Sequence, residues 1–216
     1  MGEFESLDQD EPLAQRMERH AYDRLIMLSD GVFAIAITLA ALDVRPPANW
    51  NQDPATLMAM IGPALWAYAI AFVVISSYWM AHRRIIAMLR RVDGPATILN
   101  LAILALVALQ PAAIKLLTEY RVNGGAGRIY FAQILLIGLT QVILWLYAWF
   151  GGRLIDPSIR PAARLLMLAN MIITPMLGAW LGLSLGHTGN LTAYALVAAV
   201  AAVSIGRRAL SKRVGL

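Results

Sequence analysis

Six apolar runs constrain this chain more than any other feature: Leu25 to Val44, Leu57 to Ala81, Ala96 to Leu117, Ile129 to Phe150, Ala162 to Leu185 and Leu191 to Ile205. A helix needs about 20 apolar residues to cross the hydrocarbon of a bilayer. The last run is the shortest and the richest in alanine. The runs predict an all-α, polytopic membrane protein with six transmembrane helices per chain. Composition agrees, since 59% of the 216 residues are hydrophobic and only 14% are charged. A soluble domain is roughly half apolar. The charges gather between the runs. The expected organisation is a polar N-terminal tail over residues 1–20, a six-helix transmembrane domain over 21–210 and a short C-terminal tail over 211–216.

Arginine and lysine set the expected orientation. Arg16, Arg19 and Arg24 precede the first run, and Arg83, Arg84, Arg90 and Arg91 fill the second loop. Arg153 and Arg160 lie in the fourth loop, and Arg207, Arg208, Lys212 and Arg213 follow the last run. The alternate loops hold only Arg45, then Arg121 and Arg128, then none. Positive loops stay in the cytoplasm, so both termini are placed there. The net charge of +5 is spent on this topology and does not point to nucleic acid. The first 20 residues are polar and acidic, without an apolar stretch or a small-residue cleavage site. They are read as no secretory signal, which leaves insertion to the first span. Trp50, Trp66, Tyr120, Trp145 and Trp149 mostly fall near span ends, where interfacial aromatics anchor. Pro63 lies in the first turns of its run, and Pro111 and Pro175 predict kinks inside theirs.

Enzyme chemistry finds little support. The chain has no cysteine, so it has no disulfide, thiolate metal site or redox couple. It has no Gly-rich phosphate loop, no HExxH and no paired carboxylates in a span, and His20, His82 and His187 are scattered. No T-V-G-Y-G sequence offers a carbonyl filter for potassium. No cofactor is expected.

The first run carries the candidate site. Ile35, Thr38, Leu39 and Leu42 fall on one helical stripe at about 100° per residue, and Gly31 extends it by one turn. Ala34, Ala36, Ala40 and Ala41 permit close helix approach. The stripe reads either as ordinary packing or as stacked apolar rings that gate by dewetting, with the Thr38 hydroxyl facing a partly dehydrated ion. Asp30 is the ionisable residue inside the run. It lies about 9 Å deeper than Arg24 and about 240° around the helix, so the two are poorly placed to pair. Partners are expected among Ser76, Ser77, Tyr78, Trp79 and His82 at the end of the second run and Asn100 in the third. Asp30 is then either a helix clamp or a direct proton or cation site, and His82 either a structural donor or a sensor. Asp43 is either a cation-concentrating mouth or an ordinary helix-end charge. Lys115 and Glu119, four residues apart, read as an interfacial pair. Ser29-Asp30-Gly31 has no second copy in the chain, so a pathway built on the first helix needs several chains around it.

Arg24-x-x-x-Leu28-Ser29-Asp30, followed by Gly31 to Leu39, resembles the Arg-x-x-x-Phe-Ser-Asp signature of the transmembrane protein 175 family of potassium channels. Tyr78-Trp79-x-x-His82, Asn100 and Gln110-Pro111 add to the likeness, which covers about residues 20 to 210. The resemblance implies a homotetramer whose first helices line a central pore, with potassium and other monovalent cations as the permeating ions. It implies an apolar constriction at Ile35, Leu39 and Leu42 and a hydroxyl at Thr38 tied to potassium preference. It also implies a stabilising polar network of Arg24, Ser29, Asp30, His82 and Asn100. No metal is implied beyond permeating potassium. Leu28 stands where the signature has Phe, which keeps the site apolar and loses the ring. The resulting expectation is a weakly selective potassium channel of the inner (plasma) membrane, surrounded by membrane lipids and using no carbonyl filter. The main alternative is a proton- or cation-coupled transporter using Asp30. A membrane enzyme or an assembly scaffold is a further alternative.

Overall fold

Asp53 and Asp93 show how two of the long helices are started. Each aspartate accepts a hydrogen bond from a backbone N–H in the following turn, Ala55 N at 3.2 Å and Ala96 N at 2.9 Å. A proline in the first positions of each helix lacks an N–H that would have no helical partner there. The computed structural model describes residues 12–46, 48–120 and 125–184. Within them lie α1 (Leu13–Ala41), α2 (Pro54–Ala87), α3 (Gly94–Ala108), α4 (Gln110–Tyr120), α5 (Gly125–Leu146) continuing into a π turn (Tyr147–Gly151), and α6 (Pro161–Ser184). Four stretches among the described residues are long and apolar enough to cross a membrane: Gln15–Ala41, Pro54–Ala87, Gly94–Leu116 and Gly125–Gly151. The chain is thus an all-helical, multi-pass membrane protein. The sixth apolar run, His187 and the C-terminal arginines lie outside the described residues.

The helices differ from the apolar runs in instructive ways. α1 begins at Leu13, so residues 13–20 of the polar tail are already helix. That segment is rich in Ala, Gln, Arg, Met and Glu, which favour helix without being apolar. α2 begins at Pro54, so Pro63 stands well inside the helix and not at its start. The third run is two helices, with a break at Leu109 where a kink at Pro111 was expected. Proline has no N–H to give to Val107, and its ring crowds that carbonyl. At Pro175 the helix continues.

α5 runs through the middle of the packing and touches α3, α4 and α6. Its Tyr130, Ile137, Leu144 and Trp145 are fully buried. The expected anchoring role of Trp145 at a membrane interface is therefore overturned, because its ring sits inside the bundle. Polar ties cross the apolar core. Tyr78 donates to the Ile134 carbonyl at 2.7 Å, Gln141 to the Tyr78 carbonyl at 3.3 Å and Gln133 to the Leu106 carbonyl at 2.8 Å. Such bonds hold helices together where no water competes.

α5 and α6 approach closely at Gly138. A Cβ there would lie 2.7 Å from the Pro175 Cβ and 2.9 Å from two further ring carbons. A proline ring cannot rotate away. Gly138→Ala is expected to force the helices apart and cost about 1–3 kcal/mol. Thermal unfolding in detergent should show a clearly lowered midpoint. Gly62→Ala, where a Cβ meets nothing within 4 Å, should not lower the midpoint.

At the end of the bundle where α1 begins, called the near end below, two loops are stitched together. Leu89 and Ile155 form an isolated antiparallel bridge. Arg90 N donates to the Leu154 carbonyl and Asp156 N to the Met88 carbonyl, each at 3.0 Å. Tyr147 donates to the Asp93 carboxylate at 2.7 Å.

Candidate functional site

α1 has two faces with different fates. Leu25, Ser29, Phe33, Ala36 and Ala40 are buried and recur at three- and four-residue spacing. They turn α1 toward α2, α3 and α4 of the same chain. The other face carries Ile35, Leu39 and Leu42, which are 57%, 45% and 67% exposed, against 1% for Phe33 and Ala36. Thr38 and Leu28 are exposed on that side too. The stripe therefore takes no part in packing the single subunit. The four alanines divide: Ala36 and Ala40 pack inward, Ala34 is exposed and Ala41 is half-buried.

The Thr38 hydroxyl donates to the Ile35 carbonyl of its own helix at 2.9 Å. Its proton is spent there, which leaves the oxygen as an acceptor on an exposed, otherwise apolar surface. An oxygen so placed suits a cation.

The polar part of α1 clamps the helix to its neighbours. Ser29 donates to the Leu25 carbonyl at 2.7 Å and accepts from Asn100 Nδ2 of α3 at 3.2 Å. Asp30 accepts from Trp79 Nε1 of α2 at 2.7 Å. The face of Trp79 carries the Arg83 guanidinium 5.0 Å from the ring centre, a cation–π contact. About two turns below, Tyr22 donates to the Ile86 carbonyl at 2.8 Å. Serine and aspartate side by side thus reach different helices, as about 100° per residue requires.

His82 is buried and packs its ring against Phe33, with centroids 5.5 Å apart. Neither of its nitrogens has a hydrogen-bond partner among the described residues, nor does Asn100 Oδ1. Arg24 is exposed and stands apart from both polar contacts. It lies about 20° from Ile35 around the helix axis, on the same side as the apolar stripe. Trp79 was one of several residues the sequence offered as partners of Asp30. Arg83 and Tyr22 were not among the candidate site residues. Their signal was an arginine four residues after an aromatic on one helix, and a tyrosine at a span end.

At the far end, Lys115 of α4 lies 3.8 Å from Asp43 and 4.0 Å from Glu119. The pair read from sequence is thus a triad that ties the end of α1 to α4. Ala40, Tyr68 and Ile114 join it around a cavity of about 260 Å³. Among the described residues no three His, Asp or Glu side chains converge on a metal site.

Residues 24–111, from the start of the clamp to Pro111, match the family described as the endosomal/lysosomal potassium channel TMEM175. A Streptomyces collinus protein named potassium channel is 36% identical over 149 residues, 65% of this chain and 71% of that one. A Bos taurus protein named endosomal/lysosomal proton channel TMEM175 is 30% identical over 176 residues, 71% of this chain and 37% of that one. A solved structure described as a lysosomal potassium-selective channel TMEM175 homolog from Chamaesiphon minutus aligns with a TM-score of 0.73 at 23% identity. That alignment covers 86% of this chain and 97% of that chain, and it shows a shared fold. Helical bundle, clamped first helix and sequence likeness together define a multi-pass membrane protein of a channel family. The chain belongs to the TMEM175 family.

Proposed function

We propose that this chain is the subunit of a homotetrameric, potassium-permeable and weakly selective cation channel, and not an enzyme. Each subunit crosses the inner (plasma) membrane six times with both termini in the cytoplasm. Residues 21–210 form the channel domain. The first helices line a central pathway, and Ile35, Leu39 and Leu42 narrow it as apolar rings. Thr38 offers its oxygen to the passing cation between two of those rings, and Asp43 lies at the mouth. Ser29, Asp30, His82 and Asn100 hold the pore helix against its own subunit, and Arg24, on the exposed side of that helix, joins the network only across the subunit seam of the tetramer. No carbonyl filter, bound metal or cofactor takes part, and potassium and other monovalent cations are the permeating ions.

The observation that carries this reading is the exposed stripe. A subunit folded on its own leaves Ile35, Thr38, Leu39 and Leu42 uncovered on one side of α1 and packs the opposite side. An apolar surface interrupted by a threonine, on a helix that bears an aspartate and an arginine, is better suited to a subunit axis than to lipid. Ion flux from liposomes containing the purified protein tests the reading. Potassium should leave without a co-transported proton, and sodium more slowly. An absence of potassium flux, or a fixed proton stoichiometry that Asp30→Asn abolishes, would contradict it.

A further inference from the structure

At the near end of the bundle, α1 and the loop after α2 enclose a cleft of about 690 Å³. Gln15, Glu18, Arg19 and Tyr22 line it from α1, and Arg90 and Arg91 from the loop. Three guanidinium groups thus face one carboxylate. The side chains of Arg90 and Arg91 take part in no hydrogen bond among the described residues, and the Arg90 charge acts at longer range on the Asp156 carboxylate.

The walls are fixed. Tyr22 ties α1 to the Ile86 carbonyl at 2.8 Å, and Arg90 N is held by the Leu154 carbonyl at 3.0 Å. The neighbouring loop brings up one acid, Asp156, which is already engaged. It accepts from Ser158 N at 2.8 Å. The Ser158 hydroxyl and amide, with smaller help from the Arg90 and Arg164 charges, hold its carboxyl below the usual carboxylate range.

Depth matters as well as charge. Arg19 precedes the apolar run at Leu25 by six residues, about 9 Å of helix. The headgroup layer adds about 5–8 Å on each side of the hydrocarbon. An arginine side chain at that level reaches lipid phosphates, and basic pockets between helices at this depth bind anionic headgroups.

We propose that this cleft binds the phosphate of an anionic membrane lipid, with Arg90 and Arg91 as its principal contacts. Arg19 and Tyr22 form the opposite wall. Binding there bridges α1, the helix of the candidate pathway, to the loop between α2 and α3. The proposal rests on the membrane reading alone, so a chain that carried no potassium could still satisfy it.

The test titrates purified full-length protein in neutral detergent with phosphatidylglycerol or phosphatidylcholine and counts bound lipid by native mass spectrometry. Phosphatidylglycerol should bind and phosphatidylcholine should not. Arg90→Gln with Arg91→Gln should weaken phosphatidylglycerol binding about fivefold for each arginine lost. Arg90→Lys with Arg91→Lys should keep most of it, which separates lost charge from lost fold. Arg153→Gln with Arg160→Gln removes equal charge from the same end outside the cleft and should change little. Equal weakening by both glutamine pairs, or equal binding of the two lipids, would overturn the proposal. Displacement by millimolar inorganic phosphate would assign the cleft to a soluble phosphate and overturn the lipid. Binding seen only after removal of residues 1–11, which carry Glu3, Glu5, Asp8, Asp10 and Glu11, would make that acidic segment the occupant and also overturn it.

Discussion

Ile35→Asn is expected to raise potassium flux through the reconstituted protein several-fold and to weaken its discrimination against sodium. The physical reason lies in what the side chain does when nothing of its own subunit covers it. Ile35 is 57% exposed on α1, one turn from Leu39 and two from Leu42. Brought together around an axis, such side chains make a passage that water leaves, and an ion must shed hydration to cross it. An asparagine ring supplies donors and acceptors at the same level. It keeps the passage wet and replaces lost hydration, so the barrier falls for both cations. The asparagine side chain is smaller, but the site is not packed within the subunit, so the fold should survive. Ile35→Val, which stays apolar and only shortens the ring, should raise flux less and keep the ion preference. Flux from liposomes in matched potassium and sodium gradients reads both effects. A scaffold would show none of them.

Trp79→Leu should act on assembly rather than on ion preference. Trp79 does two things. Its indole N–H donates to Asp30 at 2.7 Å, and its face carries Arg83. Leucine leaves the carboxylate without its donor and the guanidinium without its ring. A hydrogen bond to a charged group contributes about 1.5–3 kcal/mol, and the lower end applies because Asp30 is exposed on the isolated subunit. The expected result is about a tenfold shift toward dissociated or unfolded protein, read by size exclusion after thermal challenge. The flux ratio of the assembled fraction should stay at the wild-type value. Asp30→Asn keeps an acceptor oxygen for Trp79 and should be the milder change. If Asp30→Asn instead abolished transport while assembly stayed intact, Asp30 would be a transport site and not a clamp.

Much of this was legible in the sequence, but not evenly. Apolar runs mark where lipid lies, and the described helices cover five of them. Runs say nothing about where a helix stops being helix. Leu13 to Arg24 is polar and helical, and hydropathy is blind to it. The stripe at Ile35, Leu39 and Leu42 was visible as periodicity, yet periodicity cannot tell an inward face from an outward one. Only packing made that distinction, because Phe33 and Ala36 took the inward side. Trp79 and Trp145 look alike in sequence, each an aromatic near the end of an apolar run. Trp79 donates to Asp30, whereas Trp145 is sealed inside the bundle. The break at Leu109 needed the geometry of Pro111 against the carbonyl of Val107, together with neighbours to receive two helices in place of one. Arg24 joined the polar network by resemblance and not by its angle, and the structure leaves it on the other side of the helix from Ser29.

In the proposed channel the exposed side of α1 faces the pathway for ions. The chain contains no cysteine, so a single introduced thiol is the only one present. Thr38→Cys and Leu42→Cys put a thiol on the stripe, and Ile143→Cys puts one on an exposed position of α5. A positively charged, membrane-impermeant thiosulfonate added to potassium-loaded liposomes should nearly stop flux through the two stripe variants. It should leave the Ile143 variant unaffected. Flux that continues unchanged after full modification at Thr38→Cys and Leu42→Cys would contradict the placement of α1 at the pore.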